Sequence, residues 1–288
     1  MTALPDTLLR PASTAARRRP RSATLVVGLV LVGLIALIAL VSWVWTPYAP
    51  TDTTGGRLEA PSAQHWVGTD KLGRDLATQL MIGARIALTV GVSSVAVGAA
   101  VGLLLGLAAA FATRWLDETI SALLDILIAF PTLLLAMLLV AARGASMGSA
   151  VTAIGLAMAA VVARLTRVLA RRVLAQDYIV AARTSGTSWG GVVRLHVLPN
   201  VWPTVSVALA VQFGVAVLAE ASLSYLGLGT PPPNASWGRL LQEAQSTVLT
   251  APLGAIAPGV LLVALVIGVN LSADGLRDIA DPTRRRTR

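Results

Sequence analysis

The side chains best suited to chemistry in this sequence are few and far apart. Two acids, Asp125 and Glu220, sit inside long apolar runs, where a charge costs about 2.5 to 3.5 kcal/mol at a bilayer centre. Each is therefore expected to face a bundle interior, a partner helix or an aqueous path. A proton relay is the sharper chemistry such acids offer. A structural or gating role is the other, and it suits their places near opposite ends of their runs. The two histidines, His65 and His196, fall on opposite sides of the predicted membrane, and the chain has no cysteine, so neither a metal site nor a catalytic triad is expected. A phosphate-binding loop would end in Gly-Lys-Ser or Gly-Lys-Thr, but the single lysine, Lys71, is followed by Leu72. No catalytic, cofactor or metal residue is expected in this chain.

Lipid must supply the frame that positions these groups. Of 288 residues, 55% are hydrophobic and 13% charged, with mean hydropathy +0.74, against about 25% charged residues in a soluble domain. Six stretches are long enough to cross a bilayer at about 1.5 Å per helical residue. They are Leu25 to Trp45, Ile86 to Ala112, Ile120 to Ala142, Met147 to about Leu165, Val201 to Leu226, and Thr250 to Ala273. The expected fold is an all-α, polytopic membrane bundle of six transmembrane helices. Its segments are a tail over 1–24, a first span over 25–45, a connection over 46–85, a core over 86–275 with five spans, and a tail over 276–288. Arg17, Arg18, Arg19 and Arg21 precede the first run as in a signal peptide, but the run ends in Trp43 and Trp45 without a small-residue cleavage site, so a retained helix is expected.

Charge orients the bundle. The net charge is +9, and every cation except Lys71 is arginine. With the N-terminus inside, cytoplasmic segments hold most of the 23 cations, leaving Arg57, Lys71, Arg74, Arg85, Arg143 and Arg239 outside. Both termini are thus expected in the cytoplasm. The basic balance is explained by anionic lipid headgroups facing these segments, without nucleic acid. Two outer segments are long: Thr46 to Arg85, and Gly227 to Leu249, which holds Pro231-Pro232-Pro233 and an amphipathic stretch, Trp237 to Val248, expected along the outer interface. Gly102, Gly106 and the alanines of the second span suggest close helix packing.

Between the fourth and fifth spans, residues 176–200 read as a helix, a turn at Gly186 and a second helix capped by Thr187 or Ser188 and ended by Pro199. Small side chains at Ala181 and Ala182 would let the first helix press into a groove of another protein, with Tyr178 and Arg183 as anchors. An interfacial loop that merely joins two spans is the plainer reading of the same residues.

The pattern Asp177-Tyr178, Ala181-Ala182-Arg183, Gly186 and His196-Val197-Leu198-Pro199-Asn200 resembles the coupling-helix signature of ABC importer permeases, in the form found in dipeptide, oligopeptide and nickel transporters. Other segments resemble the shorter of that family's two permease types. They are His65 to Asp75 with Gly83 to Ile86, Glu220 to Gly229 with Pro232 and Ser236 to Gly238, Asp125 with Phe130-Pro131, and Asn270-Leu271 with Asp274 to Asp278 and Asp281-Pro282. The resemblance runs in order from Trp66 to Pro282. One departure is Val180, where many relatives carry an acid; Asp177 is the nearest substitute.

The resemblance implies a type I ABC importer permease in a bacterial inner membrane, pairing as a heterodimer with a second homologous permease. It implies two ATP-binding subunits below, an extracytoplasmic substrate-binding protein above, and a peptide, or for some relatives nickel or another small solute, as cargo. Coupling to the ATPases would fall to Asp177, Tyr178, Ala181, Ala182, Arg183, Gly186, His196, Pro199 and Asn200. Asp125, Glu220 and Asn270 would be intramembrane polar residues with gating or structural roles. Asp70, Arg74, Asp75 and Trp237 would lie on the face toward the binding protein. A secondary transporter using Asp125 or Glu220 for proton coupling is the rival from another class.

Overall fold

Leu, Val, Ile and Ala in unbroken runs can satisfy their backbone in lipid only as helices, and the computed structural model, which describes residues 21–231 and 234–280, is helical almost throughout. Its helices are α1 (Arg21–Val44), α2 (Leu76–Phe111), α3 (Arg114–Ala129), α4 (Thr132–Arg143), α5 (Met147–Leu174), α6 (Asp177–Thr184), α7 (Trp189–Val192), α8 (Leu198–Tyr225), α9 (Trp237–Ala244) and α10 (Leu253–Ala280). Five helical segments are long and apolar enough to cross a membrane, or six if the bent pair α3–α4 counts as one span. The expectations placed on residues 1–20, Pro232, Pro233, Asp281-Pro282 and the basic tail Thr283 to Arg288 lie outside the described residues.

Several boundaries differ from expectation, each for a local reason. The third stretch, expected as one span over Ile120 to Ala142, is two helices bent by 93° at Phe130-Pro131. Pro131 removes a helical donor and drives Phe130 to an extended ψ of 134°. The second span begins ten residues early, at Leu76 rather than Ile86, because Asp75 caps it by accepting from the Thr78 amide at 2.7 Å. The fourth runs past Leu165 to Leu174. Pro199 does not end a helix. It lies in the first turn of α8, and a π-helical turn over Val193–Val197 joins α7 to α8, with the Leu198 amide donating to Val193 O. Trp189–Tyr225 is therefore one helical segment of 37 residues.

The centre of the bundle is the α2–α5 pair. Gly98, Gly102 and Gly106 form a stripe at helical spacing, and a Cβ at Gly102 would lie 2.6 Å from Val162 Cβ, so the backbones pack at a distance only glycine permits. Around this pair, α4 and α8 close one apolar core over Val90, Val140, Ile154 and Leu223, while α1, α8, α9 and α10 close another over Ile35, Leu80, Val217 and Leu265. A third cluster, with Ala170, Ile179, Val192, Val197 and Val201, sits at the far end of α2. The molecule thus has a loop end, built on residues 45–75 and α9, and an α6 end, about 54 Å away along the 36 residues of α2.

Candidate functional site

The α6 hairpin is built by its turn. Gly186 adopts φ +89°, its amide donates to Arg183 O, and the Thr187 amide donates to Ala182 O, both at 3.0 Å. This pair of bonds closes the end of α6 with a left-handed residue that glycine accepts without strain. Ser188, of the two expected caps, accepts from the Gly191 amide to start α7. Arg183 folds back over the turn: Nη1 donates to Thr187 O at 2.6 Å, and the guanidinium lies 4.4 Å from the Trp189 ring centroid. Trp189 meets Phe111 edge-on, at 5.6 Å, which ties the hairpin to the end of α2.

One side of α6 is buried through Ile179. The other offers Asp177, Tyr178, Val180 and Ala181 to the exterior, with Tyr178 44% and Val180 62% exposed, while Ala182 is half-buried. His196 packs beside Tyr178, with ring centroids 5.8 Å apart, and Asn200 donates to His196 O at 2.7 Å. The motif around Pro199 and Asn200 therefore builds the π turn. This hairpin presents a short, largely uncharged ridge. No cluster of three metal-binding side chains occurs among the described residues.

The intramembrane polar residues do not converge. Asp125 of α3 pairs with Arg164 of α5 at 3.0 Å, both more than half exposed. Glu220 of α8 is buried toward the loop end and accepts from Ser224 Oγ at 2.6 Å. Asn270 is exposed on α10. Sequence reading passed over Asp117, which is buried at the start of α3 and receives Arg167 Nη2 at 2.7 Å and Arg171 Nη2 at 2.8 Å. The signal was present in the arginines at 164, 167 and 171, whose spacing places them on one face of a helix.

At the loop end, the residues expected to face a binding protein hold the fold instead. Trp237 is 1% exposed, and its Nε1 donates to Leu80 O at 3.1 Å. Asp75 is 3% exposed, caps α2 and meets His65 Nδ1 at 3.0 Å. Asp70 and Arg74 are largely covered. Arg74 bridges Asp70 and Glu243 of α9, both at 2.6 Å, and Arg239 reaches the other Glu243 oxygen at 2.8 Å. The stretch expected to lie flat along the outer interface is thus packed into the bundle by α9. Partial burial pushes the Glu243 carboxyl up, but Arg239 and Arg74 outweigh burial and hold it below the ordinary range. Neither Glu243 nor the Gln79 bond to Pro50 O was legible in advance.

Residues 102–286 match the family described as binding-protein-dependent transport system inner membrane component. A dipeptide transport system permease protein of Alkalihalophilus pseudofirmus is 36% identical over 278 residues, covering 96% of this chain and 91% of that protein. A glutathione transport system permease protein of Pectobacterium atrosepticum is 38% identical over 259 residues, covering 88% and 86%. Among solved structures, an inward-facing MetNI methionine ABC transporter superposes with a TM-score of 0.59 at 20% identity, over 70% of this chain and 96% of that one. An amino acid ABC transporter crystallised with histidines gives 0.56 at 17% identity, over 70% and 94%. The fold is that of ABC importer permeases.

Proposed function

From the premise that the chain belongs to the binding-protein-dependent transport system inner membrane component family, we propose that it is one of two permease subunits of an ATP-driven peptide importer. The relatives named for dipeptide and glutathione transport support peptide as cargo. In this reading the chain pairs with a second, homologous permease. Two ATPase subunits bind at the α6 end and an extracytoplasmic binding protein delivers peptide at the loop end, with both termini in the cytoplasm. ATP and Mg are held by the ATPases.

The observation that carries the coupling role is the exposed ridge of α6, with Tyr178, Val180 and Ala181 outward and its inner side anchored by Ile179. A helix seated in a groove of an ATPase moves with that groove. Arg183 and the Gly186 turn make α6 and α7 one unit, and the π turn passes the motion to α8. Closure of the ATPases on ATP would tilt the spans and turn the path from the cytoplasm toward the binding protein.

The test uses the complete transporter in proteoliposomes, with binding protein and labelled peptides outside and ATP inside. Ala181→Glu adds a charge to an exposed helical position without disturbing a buried neighbour. It should abolish uptake and release the ATPase subunits while the permeases remain assembled. Uptake driven by a proton gradient without ATP, or full transport by Ala181→Glu, would overturn the reading.

A further inference from the structure

Most of the surface between the two ends is aliphatic, as lipid requires, and the groove between α1 and α10 at Leu31, Val260 and Val263 is lined by no polar atom. One concave strip departs from this pattern. Along α5, α8 and α10 lies an open cavity of 700 Å³, with Val161 and Val211 on its walls and Pro203, Thr204, Gln212 and Arg277 among its lining. A volume of about 300–1,000 Å³ is usual for small-ligand sites.

One of its polar groups is badly placed for lipid. Gln212 stands at the middle of α8, about 20 Å from either end, where an amide with no partner is expensive. Arg277, at the α6 end of the strip, has no acidic partner at bonding distance among the described residues. Amide, hydroxyl and guanidinium set in a valine-lined slot form the complement of a short peptide. Backbone amides meet the first two, apolar side chains meet the valines, and a terminal carboxylate meets the arginine.

Resting on the importer reading, we infer that this strip is the chain's wall of the peptide path. Gln212 bonds the peptide backbone as it crosses the middle of the membrane, and Arg277 receives its terminal carboxylate.

The chain has no cysteine, so single-cysteine variants of the assembled transporter report on water directly. In membrane vesicles, Val211→Cys should react with a water-soluble maleimide, and binding protein, ATP and peptide together should protect it. Val263→Cys should stay unlabelled. Arg277→Gln should raise KM for a free-carboxylate peptide about tenfold, the loss of one charge-assisted bond, without changing KM for the amidated peptide. Arg277→Lys should restore most of the difference. Transport by a complex whose Val211→Cys is unlabelled, or unchanged discrimination in Arg277→Gln, would overturn this inference alone. A wild type that moves no peptide with ATP would overturn the importer reading, and the peptide assignment with it.

Discussion

Asp117 is where the structure makes its sharpest quantitative claim. Its side chain is 5% exposed and takes one guanidinium from Arg167, itself 22% exposed, and one from Arg171, 44% exposed. Arg167 and Arg171 both keep part of their surface in solvent, so an effective dielectric of about 20 applies, as near a protein surface. A charge-assisted hydrogen bond contributes about 1.5–3 kcal/mol when its partner is left unpaired, and the half-exposed Arg171 loses much of that to solvent. Asp117→Asn should therefore cost about 2 kcal/mol, or about 4–8 °C in Tm at the slope usual for chains of this size. The control is Glu118→Gln one residue along. Its partner Arg114 is 93% exposed and Glu118 62%, so the shift should stay under about 2 °C. Thermal unfolding of the detergent-solubilised complex reads both. The double variant Asp117→Asn/Arg167→Gln should cost less than the sum of its singles. Equal shifts for Asp117 and Glu118, or strict additivity in the cycle, would refute the claim that this cluster clamps α3 to α5.

Gly102→Ala places a Cβ 2.6 Å from Val162 Cβ and 2.8 Å from Ala159 O, so it should destabilise by about 1–3 kcal/mol, visible as an earlier thermal transition. Gly186→Ala meets no atom within 4 Å, and its cost of about 1 kcal/mol is left-handed backbone strain alone; uptake should fall while assembly by size exclusion stays normal. Trp237→Ala empties a buried site and should cost about 3–5 kcal/mol, read as faster proteolysis of residues 45–75. The Glu243 carboxyl is held below its ordinary pKa, so its contribution is complete above the unfolded value and lost as pH falls through the lower folded one. Glu243→Gln should flatten the acid limb of a Tm-against-pH profile.

How much of this was legible beforehand depended on the range of the interaction concerned. Hydropathy alone found every apolar run, because the cost of an unpaired backbone in lipid leaves no alternative to helix. The Gly186 turn and the Ser188 cap were legible because both are local. The α3–α4 bend was signalled by Phe130-Pro131, but the length of the apolar run outvoted the proline. Pro199 failed in the opposite sense, since a proline in the first turn of a helix lacks only a donor that had no partner there. Asp70 and Asp75 pair within ten residues, but Arg74 also reaches Glu243, 169 residues away, and Trp237 reaches Leu80, 157 away. No local pattern reports such pairings. Asp117 was missed because a charge between Trp115 and Glu118 looks solvated until Arg167 is brought across to it.

The continuous segment from Trp189 to Tyr225 sets a mechanical ratio. Thirty-seven residues at about 1.5 Å each make a beam of about 55 Å, and a pivot near Val201 leaves about 36 Å of it out to Tyr225, so each degree of rotation sweeps that tip by about 0.6 Å. The fulcrum is fixed by the apolar cluster around Val197 and Val201, and the short arm beyond it is little more than the hairpin itself. A small displacement delivered at the short arm is thereby geared up at the distant mouth, while the force available there falls in the same proportion. Such a lever works only if the distant mouth is held shut by weak contacts, and there Glu220 is met by hydroxyls, Ser224 on its own helix and Ser236 at the start of α9, with no ion pair to it among the described residues that a weakened stroke would have to break.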